Sequence, residues 1–441
     1  MKNMIRKFFK IKERDTTLKT EINAGITTFL TMCYIIFVQP AVLSSCGMDF
    51  GAVMAATCIA SAVTTILMGI LANYPVACAP AMGHNFFFVY TVCLAMNIPW
   101  QTALGATAVS GSIFIIICLM NVRHHLMKAV PETLQKGTAV GIGLLIAMIG
   151  FQWSGIVVDT PGTLVGLGDL SSKPVIISLI GMFSIGSLLI MRVKAAFLIS
   201  IIISTIIAMA WGLAEFSGII AGPPSMKPTF LKLNIPGAFD LGLINIIFVF
   251  FFLDFFDTIG TLIGIGHQGG FIKNGRFPGM NRALLADSIG TVTGACLGTS
   301  TVTSYIESSA GVSQGGKTGF ASIITGLLFL SGLFFYPLIK MIGGGIARDE
   351  VSTLYPITAP VLIYIGCFML PLIRQIPWDD LTESIPGYLT LIIMPLTFSI
   401  TEGFSFGFIS YVLLKVIAGK YRDIPVLTYI FAGLFIIRYF I

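Results

Sequence analysis

LGTSTVTSYIESSAGVSQGGKTG, running from Leu297 to Gly319, is the stretch whose reading decides the fold. It is crowded with Gly, Ser and Thr, carries one carboxylate, Glu307, and lies between the apolar runs Ala283–Leu297 and Phe320–Ile339. In a soluble protein such a segment is a surface loop. At membrane depth, irregular backbone persists only where protein buries it or where it lines a wet cavity, because lipid cannot satisfy its N–H and C=O groups. A polar segment with an acid at its middle is therefore a candidate solute site built from the ends of interrupted helices.

The composition places the chain in a membrane. Of 441 residues, 56% are hydrophobic and 10% charged, against about 25% charged in soluble domains. A helical span needs roughly 20 apolar residues, which leaves room for about a dozen or more. The runs are continuously apolar rather than alternating, which excludes a β-barrel pattern. The formal net charge of +6 does not imply nucleic acid, because Lys2, Arg6, Lys7, Lys10, Lys12, Arg14 and Lys19 all precede the first span. There they act as an orientation signal that keeps the N-terminus cytoplasmic. No cleavable signal peptide is expected, since the basic stretch is long and no small-residue cleavage pattern follows. The eight Cys show no C-x-x-C spacing, and Cys33, Cys78, Cys93, Cys118 and Cys367 sit inside apolar runs as small packing residues.

Working outward from Leu297–Gly319, hydropathy draws two sets of seven elements. The first set is Ala24–Val42, Ala52–Leu71, Ala77–Met96, Ala103–Met120, Gly137–Phe151, Pro174–Met191 and Ala195–Leu213. After the Pro- and Gly-rich stretch Ala214–Asp240 come Leu243–Gly266, Ala283–Leu297, the broken region, Phe320–Ile339, Ala359–Leu372, Ile385–Ile400 and Gly403–Ala418. The third element of each set is the interrupted one. An odd number per half turns the halves upside down relative to each other, the inverted-repeat plan of many secondary transporters. The basic connectors Arg123/Lys128/Lys136, Arg192/Lys194, Lys273/Arg276/Arg282 and Lys415/Lys420/Arg422 then fall inside, while Lys340 and Arg348 fall outside. The tail Pro425–Ile441 reads either as a further span or as an interfacial helix.

Few residues in these runs can carry chemistry. Asp254 and Asp257, in FVFFFLDFFDTIGTLIGIG, are three apart and read as one helical face continued by Thr258 and Thr261. A mid-bilayer carboxylate costs roughly 2.5 kcal/mol or more and needs a partner, a proton or water. Glu307 stands where an extended segment would turn into a helix, whose freed N–H groups favour a carboxylate or a polar ligand edge. In the first half, Pro80 and Gly83 interrupt the matching span. Beside them Asn85 offers both donor and acceptor, Phe86, Phe87 and Phe88 offer flat faces, and His84 reads as a proton relay or a helix–helix hydrogen bond. Asp287 and Glu402 read as solvated or capping groups near span ends. Together these parts suit a flat, neutral heterocycle bearing N–H donors, with one carboxyl left to exchange a proton, and suit an inorganic anion poorly. No nucleophile–base constellation points to an enzyme, and His84, His124, His125 and His267 make no metal-ligand cluster, so neither cofactor nor metal is expected.

At these residues the chain resembles the nucleobase–cation symporter-2 (nucleobase–ascorbate transporter) superfamily, specifically its AzgA-like purine permeases. The resemblance covers nearly the whole chain through AGITTFLTM (Ala24–Met32), NYP (Asn73–Pro75), FDTIGTLIG (Phe256–Gly264), NRALLAD (Asn281–Asp287) and GTSTVTSYIESSAGV (Gly298–Val312). It implies an all-α polytopic fold of fourteen spans as 7+7 inverted repeats, with spans 3 and 10 broken by short strands. It also implies a basic N-terminus (1–20), a core domain (21–120 and 241–340), a gate domain (121–213 and 341–420), an extracellular linker (214–240) and a tail helix (421–441). By the same resemblance Asn85, Asp257 and Glu307 match positions for purine recognition and proton coupling; read from the residues themselves, Phe86 and Phe87 join the substrate site as stacking faces, and Asp254 and His84 are further candidates for proton coupling. Relatives commonly read Pro-Gly-Met-Gly-Leu/Ile-Asn-Ala at span 3, where this chain reads Pro80-Ala-Met-Gly-His-Asn-Phe86. The implied activity is import of hypoxanthine, guanine or adenine by proton symport across the plasma or inner membrane, with a homodimer left open. Transport of another base or an inorganic anion on the same fold is the alternative.

Overall fold

The computed structural model describes residues 2–120, 130–239, 244–272, 277–347 and 353–439. Arg123, His124, His125, Lys128, Lys273, Arg276 and Arg348, assigned to connectors above, lie outside the described residues. In chain order the elements are α1 (Lys2–Phe8), α2 (Leu18–Met32), α3 (Ile35–Ser44), α4 (Phe50–Leu71), β1 (Cys78–Pro80), α5 (Met82–Phe86, running on as a π-helix over Phe87–Ala95) and α6 (Trp100–Met120). Then come α7 (Glu132–Trp153), a hairpin of β2 (Val157–Thr160) and β3 (Leu164–Leu167), α8 (Lys173–Ile190), α9 (Ala196–Ala210), α10 (Ile244–Gln268) and α11 (Met280–Leu297). The chain ends with β4 (Val302–Ser304), α12 (Ser308–Val312), α13 (Gly319–Ser331), α14 (Tyr336–Gly343), β5 (Ile346–Ala347), β6 (Thr353–Leu354), α15 (Ala359–Met369), α16 (Leu381–Thr397), α17 (Ile400–Ile417) and α18 (Val426–Arg438).

Among the described residues, eight helical stretches are long and apolar enough, by length and composition, to cross a membrane. Their starts carry the side-chain caps expected of short polar residues: Thr17 accepts from the Thr20 N–H, Asp49 from Ala52 and Thr318 from Phe320. Large apolar side chains such as Ile116, Phe183, Ile190, Ile206, Leu396 and Ile417 point outward and are more than half exposed. An apolar exterior of that extent is what lipid requires, and the protein is a multi-pass membrane protein.

The helices pack in two groups. In one, α13 lies on α2 and α4, and α11 on α4 and α6, with α10 beside α6. In the other, α7 is flanked by α15 and α16, α16 by α17, and α8 by α9 and α15. The α4–α13 approach is close enough to need glycine. A Cβ on Gly69 would stand 2.5 Å from the Gly319 carbonyl oxygen. The tail helix α18 packs along α17 through Phe431 and Phe435 on Phe408, and Arg438 reaches Glu402 at 2.8 Å. Glu402 is thus ion-paired rather than solvated. At 13 residues, α18 is roughly 20 Å long, short of the ~30 Å hydrocarbon core.

The N-terminal segment does more than carry charge. Arg14 donates to the carbonyls of Asn73 and Lys317 at 2.7 and 2.6 Å, and Glu21, fully buried, accepts from the Lys317 and Thr318 N–H groups. Asn73 Oδ1 accepts from Gly319 N. The arm is clasped onto the ends of elements drawn from both halves of the chain.

Candidate functional site

Two short strands meet where the chain twice abandons its helix. β1 and β4 pair antiparallel, Cys78 opposite Ser304, Ala79 opposite Thr303 and Pro80 opposite Val302. Each strand is three residues long, so most backbone groups near the crossing need other partners, and protein supplies them. Ala81 N–H donates to Thr301, Tyr305 N–H to Ala77, Ala77 N–H to Ser308 Oγ and Cys78 N–H to Thr65 Oγ1. Tyr305 OH donates to the Pro80 carbonyl. Pro80, which has no N–H, sits at the strand's last position and opens the turn into α5.

Asp257 is the fourteenth residue of the 25-residue helix α10, near mid-depth, yet it is exposed. Gly260, Gly264 and His267 on the same stripe are exposed too, and no atom lies within 4 Å of where a Gly260 Cβ would be. On the other side of Asp257, Asp254 and Phe250 are fully buried. The stripe therefore lines a cleft that is closed at mid-depth and open towards the end of the bundle carrying the N-terminal arm. Across the cleft Ile306 is half exposed and Glu307 partly exposed. Glu307 begins α12, and its Oε1 accepts from Tyr34 OH at 2.5 Å. Tyr34 stands in the break between α2 and α3, its ring edge-on to Phe197 of α9 at 5.5 Å. Thr303 Oγ1 reaches Asp257 Oδ2 at 3.4 Å, and the two acids lie within electrostatic reach of each other.

Asp254 and Asp257 do not share an environment. Three residues turn a helix through about 300°, leaving them some 60° apart. That offset puts Asp257 in the cleft and Asp254, with Thr258, against α11. There Thr291 donates to Asp254 at 2.8 Å, while Thr258 and Ser304 donate to Asp287 at 2.8 and 2.9 Å. Asp287 is fully buried against α10 and β4, rather than a solvated or capping group near a span end. The signal for it was the small-residue pattern of α11, whose Ala286, Gly290 and Gly294 mark an interior face.

The residues of α5 lie behind the crossing. Asn85 is fully buried, donates to Gln39 Oε1 and accepts from Ser300. Gln39 in turn donates to Thr299 and Ser300. Phe86 stacks on Tyr90 and meets Trp153 edge-on, and Phe87 packs on Phe250. His84 is buried, its Nε2 without a partner. Sequence reading did not single out Tyr34, Gln39 or Thr303, because their roles come from contacts across more than 40 residues. Among the described residues no three His, Cys, Asp or Glu side chains group as a metal site.

What the cleft can do chemically follows from its lining. Two carboxylates and hydroxyls accept hydrogen bonds, and no cationic side chain pairs with either acid among the described residues. It is built to take N–H donors.

Known proteins share this chain's sequence and its fold. The chain is 47% identical over 437 residues to the "Putative permease MJ0326" of Methanocaldococcus jannaschii, covering 99% of this chain and 98% of that one. It is 42% identical over 436 residues to the "Adenine permease AdeP" of Escherichia coli K12 (99% and 96% covered) and 40% over 451 residues to the "Guanine/hypoxanthine permease PbuG" of Bacillus subtilis 168 (99% of each). Among solved structures, the transmembrane domain of the cyanobacterial bicarbonate transporter BicA superposes with a TM-score of 0.63 at 14% identity, over 90% of this chain and 97% of that one. SLC26A9 gives 0.61 at 13%, over 90% and 66%. At these identities the structures speak for the fold alone. With residues 19–406 matching the family described as "Permease family" (Xan_ur_permease), the chain belongs to that family, within the nucleobase–ascorbate transporter superfamily.

Proposed function

We propose that the protein imports purine nucleobases by proton symport and alternating access. The observation that carries this reading is the pair Asp257 and Glu307, facing one water-accessible cleft at mid-depth beside the β1–β4 crossing. The named relatives are adenine and guanine/hypoxanthine permeases. A purine presents N–H groups along its edge, which carboxylate oxygens accept, and a neutral base can enter a cleft without a counter-ion. Tyr34 holds Glu307 in place, and Thr303 does the same for Asp257. Asn85 acts through its clamp on Gln39 and Ser300, fixing the start of the half-helix, with Phe86 and Phe87 forming the wall behind it. His84 and Asp254 remain the further candidates for handling the proton.

In this reading the α2–α6 and α10–α14 group is the core and the α7–α9 and α15–α17 group is the gate, fourteen spans in two inverted sevens. Support comes from the two packing groups and from a strand interrupting the third element of each half. The N-terminal arm faces the cytoplasm, so the open cleft is an inward-facing one, and a homodimer is compatible with the lipid-facing surface left free.

The test is uptake of labelled hypoxanthine into cells lacking their own purine permeases, with unlabelled adenine, guanine, xanthine, uracil, sulfate and bicarbonate as competitors. Purines should compete, the anions should not, and a protonophore should abolish accumulation. Competition by sulfate or bicarbonate alone would overturn the reading.

A further inference from the structure

We infer that the N-terminal arm is a docking surface for anionic lipid. In this inference α1 and the turn after it lie along the membrane face and hold phospholipid headgroups on Arg6, Lys7, Lys10, Lys12 and Lys19. The contact does not depend on which solute is carried.

The arm is tied at the level of the bilayer edge. On α2 the exposed residues Lys19, Ile22 and Ile26 stand three and four apart and form one stripe. Ile22 and Ile26 face lipid, and Lys19, one turn earlier, is where the stripe meets the phosphates. On α4 the lipid-facing Ile70 stands three residues before Asn73. Asn73 is also the tie point of the arm: its Nδ2 donates to the Phe9 carbonyl at 3.1 Å, and its own carbonyl accepts from Arg14. The Phe9 ring packs on Phe320, the second residue of α13, at 5.6 Å. These ties hold the arm against helix ends that lipid already surrounds.

The sequence of α1 suits that position. Reading round the helix at about 3.6 residues per turn, Lys7, Met4, Phe8 and Ile5 follow one another, then Phe9 just past its end, and Arg6 closes the circle. Phe9 is the inward edge at 7% exposed, while Met4 and Phe8 beside it are 72% and 57% exposed. Bare apolar side chains flanked by cations are the pattern of a helix lying in a membrane interface. Past α1, Lys10 takes a left-handed φ of 55°, and the chain turns so that Ile11 is buried while Lys10 and Lys12 stay exposed.

The charge on this surface is left open. Among the described residues no carboxylate pairs with Arg6, Lys7, Lys12 or Lys19. The acids of the arm itself are Glu13, 3.6 Å from Lys10, and Asp15. Arg14 is not part of the surface, because its guanidinium is occupied by the carbonyls of Asn73 and Lys317 and lies 4.8 Å from the Tyr74 ring centre. The arm thus divides its work: Phe9, Ile11 and Arg14 hold it to protein, and the remaining cations face outward. Phosphate-bearing lipid is the anion present at this depth. Met4 and Phe8 favour it over a soluble polyanion, which would leave both side chains in water.

The experiment uses the full-length protein in lipid nanodiscs, one set of phosphatidylcholine and one of phosphatidylcholine mixed with phosphatidylglycerol. In Phe8→Trp, the fluorescence added over the parent protein should shift to the blue in the phosphatidylglycerol discs and be quenched by lipids brominated near the headgroup. Quenching should fall several-fold in phosphatidylcholine, at high salt, or when Arg6, Lys7 and Lys10 are all changed to Gln. On the unsubstituted protein, trypsin cleavage after Arg6, Lys7, Lys10 and Lys12 should be several-fold slower in the phosphatidylglycerol discs, and this decides the matter should Phe8→Trp fail to fold. Three results overturn the inference. One is added fluorescence that stays water-like, or cleavage equally fast, in both lipids. Another is equal quenching in both, which would be apolar contact without headgroup recognition. The third is protection by heparin in phosphatidylcholine discs as strong as that by phosphatidylglycerol, which would make the partner a soluble polyanion.

Discussion

Glu307 has its carboxylate placed by one hydroxyl, the Tyr34 OH at 2.5 Å. Hydrogen bonds to charged acceptors are worth about 1.5–3 kcal/mol, so Tyr34→Phe should raise the apparent KM for purine roughly ten-fold while leaving the amount of protein in the membrane unchanged. Competition binding on purified protein checks it, and wild-type affinity in the variant would remove Tyr34 from the site. Asp257→Asn and Glu307→Gln are the sharper changes, since each turns an acceptor-only edge into one that also presents N–H groups to a ligand of N–H donors. Either should abolish uptake with expression intact, measured as labelled hypoxanthine per unit of membrane protein. At this scale the sequence marked which polar residues stand in or beside apolar runs and was silent about which way they face. Asp257 and Glu307 stood out because acids in apolar runs are costly. Asp287 was hidden because four residues separate it from Lys- and Arg-type charge at a span edge, and only the packing of α11 on α4 and α6 shows that its side chain points inward.

The elements were legible where hydropathy is continuous and blurred where it is not. Ala103–Met120 and Leu243–Gly266, drawn from apolar runs, differ from α6 by three residues at its start and from α10 by one or two at each end, because a helix runs past its apolar stretch into polar flanks. Ala24–Val42, drawn as one span, is two helices broken at Cys33–Tyr34. Nothing in that apolar run marks the break, which serves to aim Tyr34 at Glu307 across 273 residues of chain. A second tertiary feature joins α16 and α17. Lys415 bridges Glu383 at 2.6 Å with side chains only 6% and 17% exposed, and Thr133 and Tyr411 complete the carboxylate's hydrogen bonds. Removing one partner of a buried pair costs about 3–5 kcal/mol, and replacing both with apolar groups is far milder. Lys415→Met should therefore lower the melting temperature in detergent markedly, and Glu383→Leu in the same chain should restore much of it.

At the scale of the whole molecule, the two helix groups meet, among the described residues, over a surface with few polar ties. Gly83 faces Ile142, Tyr34 faces Phe197, and Phe252 faces Phe404. The hydrogen bonds that cross it include Thr91 to the Phe398 carbonyl at 3.2 Å and Trp153 to Tyr90 at 3.1 Å. Apolar contact without directional bonds lets one body slide on another. A Cβ on Gly83 would stand 2.8 Å from Ile142 Cγ2, so a larger side chain wedges the interface at the half-helix itself. Gly83→Val should slow the maximal uptake rate several-fold with little change in purine affinity, and Ile142→Ala in the same chain should recover part of the rate. Equal loss of binding and rate would instead place Gly83 in the site.

The clasp made by Arg14 has a bearing on how the protein is made. Its two carbonyl partners belong to Asn73 and Lys317, 59 and 303 residues further along. A ribosome delivers the arm first and the second partner long after it. Until then the basic segment has nothing at the far half to grip. Closing the clasp is thus a late assembly event. A tag or truncation ahead of Thr17 would be felt at the last stage of biogenesis, when the second half docks against the first.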